Sequence, residues 1–504
     1  MRLKDIGFLT ILGLLASCSA NQPNTYYLDA TNGNDSNSGL SPETAWKSLN
    51  KVRNMQLQPG EKILLKRGEK FEGEFDIAGQ GTPQQRIQIA DYGTGTKPCI
   101  IGEDNSLYAL RVTNSNYLTI RNLEIVNTGK YPLAKRTGVK IECIDYGISH
   151  AIKLDSLTIR DVNGSLVKEQ GGGSGIHIIN GGDSIKSCFD SLSIENCHIL
   201  RCARNGMIWD GYYSRENWFP NKHTLVRNNL IEQVPGDGIV PIGCDSTLIE
   251  YNVMCDSPDV LPMTEAAAGI WPWSCDNTII QFNEVSGHKA PWDGQGFDAD
   301  YNCRNTLIQY NYSHDNYGGM VLICDNGNAG EYSCGNIGSI IRYNISIGDG
   351  IRPKETRQGM FSPGIHIAGP VKNTLIERNI IHLNKKTTEK ADRTMITSDS
   401  WDGYADSTCL RQNIFYTAES SSFDFTQSTA NHFSENVYIG VLKNLPERNS
   451  STQAVSYYQE KVLDKDPYGY KGLQELMTIK NINNKKQYIV NKEAIESFFN
   501  SLPQ

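Results

Sequence analysis

Apolar residues in this chain alternate with polar ones in bursts of four to six, with no helical spacing, from about residue 70 to about residue 440. Alternation in segments rich in Ile, Val, Thr and Tyr predicts short strands with one face inside. The bursts repeat. One phrase returns as Thr224-Leu-Val-Arg-Asn-Asn229, Thr247-Leu-Ile-Glu-Tyr-Asn252, Thr278-Ile-Ile-Gln-Phe-Asn283, Thr306-Leu-Ile-Gln-Tyr-Asn311, Ser339-Ile-Ile-Arg-Tyr-Asn344 and Thr374-Leu-Ile-Glu-Arg-Asn379. Its final Asn recurs at intervals of 23, 31, 28, 33 and 35 residues. A second phrase opens on glycine: Gly175-Ile-His, Gly206-Met-Ile, Gly238-Ile-Val, Gly269-Ile-Trp, Gly296-Phe-Asp, Gly319-Met-Val and Gly364-Ile-His.

A repeat this short cannot bury its apolar side alone, so copies must stack in register, about 4.8 Å apart. The recurrent Asn suits an inward turn where amides bond along the stack. Variable repeat length then means loops inserted at a turn, the usual place for function in a solenoid. In these phrases the chain resembles right-handed parallel β-helix proteins of the pectate-lyase-like superfamily. That resemblance implies an all-β solenoid of about ten or more coils, assigned to residues 71–445. Residues 26–70 are similar to the N-terminal region of exported Bacteroidetes β-helix proteins that act on polysaccharides. Within them, Ser41-Pro42-Glu43 predicts a short capping helix running to about Met55. Residues 446–504 are polar and partly helical in pattern.

The first seventeen residues stand outside the fold. Arg2 and Lys4 precede an apolar run from Ile6 to Ala16, the pattern of a secretory signal and too short for a membrane span. Leu15-Ala-Ser-Cys18 resembles the lipobox of bacterial lipoproteins, which implies acylation of Cys18, a tether over 18–25 and an exported protein on the outer membrane or cell surface. The formal net charge of −8 moves to −9 once Arg2, Lys4 and Asp5 leave. An acidic chain without a basic run is a poor match for nucleic acid. Twelve cysteines remain besides Cys18, none at zinc-ligand spacing. Cys244, Cys275, Cys303 and Cys324 end successive glycine-led strands and are expected to stack as thiols.

Aligning the glycine-led strands gives a register. Ile176, Met207, Ile239, Ile270, Phe297, Met320 and Ile365 form an inward column. The next residues point out: His177, Ile208, Val240, Trp271, Asp298, Val321 and His366. Two further on, so do Ile179, Asp210, Ile242, Trp273, Asp300, Ile323 and Ala368. Paired carboxylates, Asp298 and Asp300, therefore share one face about 6.5 to 7 Å apart, with Trp271 and Trp273 one rung away. Like charges that close raise each other's pKa, and indoles beside acids suit a sugar ring. Further candidates lie in loops or on the same face: Asp293 and Asp315, 22 residues apart and expected at one turn, with His314 for catalysis; and His177, Asp210, His366, Lys289 and Trp292 for binding.

Glycoside hydrolysis needs one protonated and one ionised carboxyl at the scissile bond, and Asp298 with Asp300 meet that need. The resemblance to β-helix glycoside hydrolases implies catalytic aspartates on this face, with no cofactor and a polysaccharide or oligosaccharide as partner. Two other readings use the same residues. A polysaccharide lyase would bind Ca²⁺ through Asp293, Asp298 and Asp300, with Lys289 or Arg304 as base. A non-catalytic glycan-binding lipoprotein would keep the tryptophans alone. The anchor reading makes the first prediction: Cys18→Ala leaves the protein off the membrane with its body folded, checked by salt-washed membrane fractionation.

Overall fold

The structure is a computed structural model that describes residues 22–327, 333–350, 352–425, 427–445 and 475–502. Cys18 and the signal segment lie outside them. Among the described residues no helix is long and apolar enough to cross a membrane. The repeats coil into a right-handed parallel β-helix. Two of its walls are continuous. One has fourteen strands, from Thr25–Leu28 to Asn431–Ser434, and the other thirteen, from Lys70–Glu72 to Val437–Ile439. The third wall holds the glycine-led strands and is interrupted. Seven strands end at Ile239–Val240, six begin at Phe297–Ala299, and single bridges Ile239 to Ile270 and Ile270 to Phe297 join them. Pro241 and Pro272 sit in the gap. Proline lacks the N–H that a ladder needs, so the wall is pinned there but not fully hydrogen-bonded.

The expected amide ladder is present. Each Asn side chain accepts from the backbone N–H and the amide of the Asn one coil earlier, through Asn229, Asn252, Asn283, Asn311, Asn344, Asn379, Asn413 and Asn436 at 2.9–3.0 Å. The residue before each one is left-handed, for example Tyr251, Phe282, Tyr310 and Tyr343 at φ 54–56°. That conformation turns the backbone so that the next amide points inward. It also aims the preceding ring out, and Tyr251, Phe282, Tyr310 and Tyr343 stack with centroids 5.0, 5.2 and 5.3 Å apart.

Residues 475–502 cover that stack. A hairpin of Met477–Ile482 and Lys485–Val490 runs into a helix, Lys492–Asn500, capped by the Asn491 side chain. Phe499 meets the Tyr343 ring edge-on, Glu496 accepts from the Tyr310 hydroxyl, and the Tyr488 N–H donates to Glu284. At the other end, strand Thr25–Leu28 pairs with Lys62–Lys66 and Trp46 packs beneath Tyr26. The expected capping helix to Met55 is absent. Ser41 caps only a single 3-10 turn, Pro42–Thr44, and Leu49–Lys51 forms another. Trp46, between them, is drawn into the end of the stack and interrupts any continuous helix.

The ladder should dominate stability locally. Asn283→Ala strips partners from the buried Asn252 N–H and side-chain amide and from the buried Ile249 carbonyl. Buried groups left unpaired cost about 1–3 kcal/mol each, so urea unfolding should show a loss of at least about 2 kcal/mol.

Candidate active site

The inward column holds as expected for Ile176, Met207, Ile239, Ile270, Phe297 and Ile365, all fully buried. It changes at the rung after Phe297. That residue pairs with Val321, not Met320, and Ala299 pairs with Ile323. Here the glycine, Gly319, precedes its strand by two residues instead of one, so Met320 stands level with Gly296 and Gly364. A methyl on Gly319 would lie 2.0 Å from the Pro363 carbonyl oxygen, so only glycine fits. The consequence is a correction: Val321 and Ile323 face the core, while Leu322 and Cys324 face out.

Asp298 and Asp300 do share the outer face, but loops close over it. Asp298 is 5% exposed and its Oδ1 is sealed without a hydrogen-bond partner. Asp300 stays half-buried; its Oδ1 accepts from the Tyr301 backbone N–H at 2.7 Å and the Cys324 thiol at 3.0 Å. Asp293 arrives from the preceding loop, also half-buried, where Trp292–Asp293 pairs with Ala266–Ala267. Its backbone is held on both sides. The N–H donates to Gln358 at 2.7 Å, and the wholly buried Arg352 donates to its carbonyl and to that of Ala290.

Burial and mutual repulsion set the protonation. Loss of water pushes Asp293 up to about 6, with the Asp300 charge adding to the rise and His366 and Arg352 opposing it. Burial also lifts Asp300 to about 6, against the pull of its two donors. Asp298 is driven well above the usual carboxylate range by burial, then by the charges of Asp293, Asp300 and Asp237. Asp237 is the neighbour that strand alternation did not reveal. It is 1% exposed, ion-paired to Arg204, and accepts from the Trp271 indole at 3.0 Å and the Ala268 N–H at 3.1 Å. Arg204 also pairs with buried Glu265. Gly236-Asp237-Gly238 precedes a glycine-led strand, and that position was the available signal.

The tryptophans are not open platforms. Trp271 is 9% exposed and packs on Val240 and Ala268, with the Lys168 ammonium 5.6 Å from its ring. Trp273 is half-buried between Tyr213, stacked at 5.1 Å, and the edge of Tyr301. His366 is likewise buried, bonded to Asp399 at 3.0 Å and boxed by Phe361 and Trp401. Trp292 lies under the Arg357 guanidinium. His177 and Asp210 line a cavity of about 390 Å³ with Lys168, Ile208 and Ile242, on the same face toward the N-terminus. Burial lowers His177 to about 4, so its imidazole is neutral.

His314 and Asp315 belong elsewhere. His314 ends strand Tyr312–His314 of the thirteen-stranded wall and bonds Asp315 and Glu284. Burial pulls its pKa down, and those two bonds more than reverse this, to about 9. The exposed Asp315 stacks over Gly287 and under Gly348, whose turn it shares, not over Asp293. Lys289 lines a separate recess with Arg201 and Val260, and Arg304 is exposed on the short strand Cys303–Arg304, near Cys334. Neither base of the lyase reading therefore sits among the acids. The carboxyl oxygens of Asp293, Asp298 and Asp300 do not all lie within 4.8 Å of one another. Among the described residues only Glu232, Cys255 and Asp256 bring three such ligand atoms within 4.8 Å, and the Lys485 ammonium already pairs with both carboxylates there.

A parallel β-helix with three carboxyls gathered under loops at a break in one wall is the class of site these residues define. A family model described as a right handed beta helix region matches residues 174–348. A lacto-N-biosidase from Bifidobacterium longum subsp. longum is 27% identical over 447 aligned residues, which take in 68% of this chain and 27% of that protein. The chain thus spans about a quarter of that curated relative. The crystal structure of native GH136 lacto-N-biosidase from Eubacterium ramulus matches with 26% identity and a TM-score of 0.59, covering 77% of this chain and 67% of that one. Its selenomethionine derivative matches at 24% identity, with a TM-score of 0.58 and coverage of 83% and 68%, a likeness of fold.

The burial of Asp298 makes a stability prediction with a definite sign. A carboxyl whose folded pKa is raised loses stability for the protein as pH climbs from its unfolded value, about 3.9, toward the folded one. Asp298→Asn removes that loss. Its melting temperature should equal or exceed wild type at neutral pH, and the difference should shrink toward about pH 4. A wild-type advantage that grows with pH would show Asp298 ionised and paired.

Proposed function

We propose that this chain is a glycoside hydrolase acting on an oligosaccharide, with Asp293 and Asp300 as its working carboxyls. The observation that carries this is their shared state: both are half-buried, burial lifts both to about 6, and the Asp300 charge adds to the rise at Asp293. Two carboxyls that hold about one proton between them match the acid and the carboxylate of glycosidic cleavage. Asp300 accepts two hydrogen bonds, which favour its ionised form. It stabilises the positive charge developing at the anomeric carbon. Asp293 has no donor on its carboxyl among the described residues, so it keeps the proton and delivers it to the leaving oxygen. Asp298, sealed and neutral, replaces neither.

The likeness to lacto-N-biosidases supports this reading and makes oligosaccharides bearing a lacto-N-biosyl unit the first substrates to test. The cavity by His177 and Asp210 gives room for a further sugar along the same face. The lipobox-like segment ending at Cys18 supports a place on the bacterial outer membrane.

Asp293→Asn and Asp300→Asn should each lower turnover by at least about a hundredfold, while Asp298→Asn should cost far less. Activity should peak near pH 6. It should fall on the acid side as Asp300 gains its proton and on the alkaline side as Asp293 loses its own, the two steps belonging to the pair. Reducing-end release on a panel of neutral and uronate oligosaccharides measures this. Near-normal turnover in both variants, or an unsaturated product absorbing in the ultraviolet, would overturn the assignment.

A further inference from the structure

Cys244, Cys275 and Cys303 face the core and stack as expected, the Cys275 N–H lying 3.3 Å from the Cys303 sulfur. Cys324 breaks the series. Because its strand starts two residues after Gly319 and not one, Cys324 faces outward and takes the place one rung beyond Asp300. It is 1% exposed, packed with Leu322 and Ala368 against Tyr301 and Trp401. In that apolar setting its thiol points at the Oδ1 of Asp300, 3.0 Å away.

We infer that Cys324 is a positioning residue for Asp300: with the Tyr301 N–H it occupies Oδ1, which leaves Oδ2 as the oxygen presented to substrate. This rests on the hydrolase reading for its consequence in catalysis, but the bond itself does not. A thiol is a weak donor, yet a bond to an ionised, poorly hydrated carboxylate is strengthened by the low local dielectric. The thiol also stays protonated. Burial and the Asp300 charge hold it far above the usual thiol range, so it donates at every pH where the enzyme works. The arrangement favours the charged form of Asp300 and fixes its rotation.

Cys324→Ala and Cys324→Ser in the full chain test this. Without the donor, the acid limb of kcat/KM should move up by about half to one pH unit, so that activity near pH 5 falls about 3- to 10-fold. The alkaline limb and the plateau KM should stay within about twofold. Serine, which donates, should bring the limb back. A purely structural thiol would change melting temperature and leave the limb in place. The infrared S–H stretch, isolated by subtracting Cys324→Ala, should lie at lower frequency in wild type and rise in Asp300→Asn. An acid limb unmoved in Cys324→Ala, or an S–H band indifferent to Asp300→Asn, overturns the inference. If Asp300→Asn and Asp293→Asn both keep their turnover, the hydrolase assignment falls instead, and the substrate-free infrared comparison still decides the bond.

Discussion

The interaction on which the molecule depends is the inward amide bond from one coil to the next. Each Asn is aimed by a left-handed residue before it, and each presents one oxygen to two donors of its neighbour. That bond fixes the phase of every coil independently of its length. Coils of 23 to 35 residues therefore share one register, and the length difference is expelled into loops. Asp237 comes from the coil between Asn229 and Asn252, Asp293 and Asp300 from the one between Asn283 and Asn311, and the shared phase sets them on one face.

The same rigidity lets the wall carry an electrostatic burden. Four acidic side chains under loops, with Asp298 unpartnered on one oxygen, oppose folding. Arg204 and Arg352 offset part of this, one as an ion-pair partner and the other through carbonyls. A continuous core of Ile, Val, Leu and Phe on the inner side supplies the rest. Strain of this kind collects where chemistry needs groups that titrate near neutrality.

Strand alternation made much of this legible. The Asn positions, the inward Ile and Phe column and the common face of Asp298 and Asp300 all follow from a period of two. What it hid lies in turns and in covering loops. Gly319 looked like the head of another identical strand, and the one-residue offset shows only in the pairing with Phe297 and Ala299. Asp293 was a candidate, but matched to Asp315 by distance along the chain, which says little once loop lengths vary. The burial of Trp271 and Trp273 comes from Lys168, Tyr213 and Ala268, partners remote in sequence or held by loops, and no local pattern records them.

The return of residues 475–502 across the aromatic stack bears on cooperativity. A solenoid whose coils touch only their neighbours behaves nearly one-dimensionally and can fray or grow from either end. Here Lys480 reaches Asn228, Lys485 reaches Glu232, Gln487 reaches the Asn252 and Phe282 carbonyls, and Phe499 reaches Tyr343. One short element thus grips about five consecutive coils at once. Those coils contain Asp237, Asp293 and Asp300. The clasp ties them into one opening unit, so the carboxyls separate only when the whole gripped block lets go.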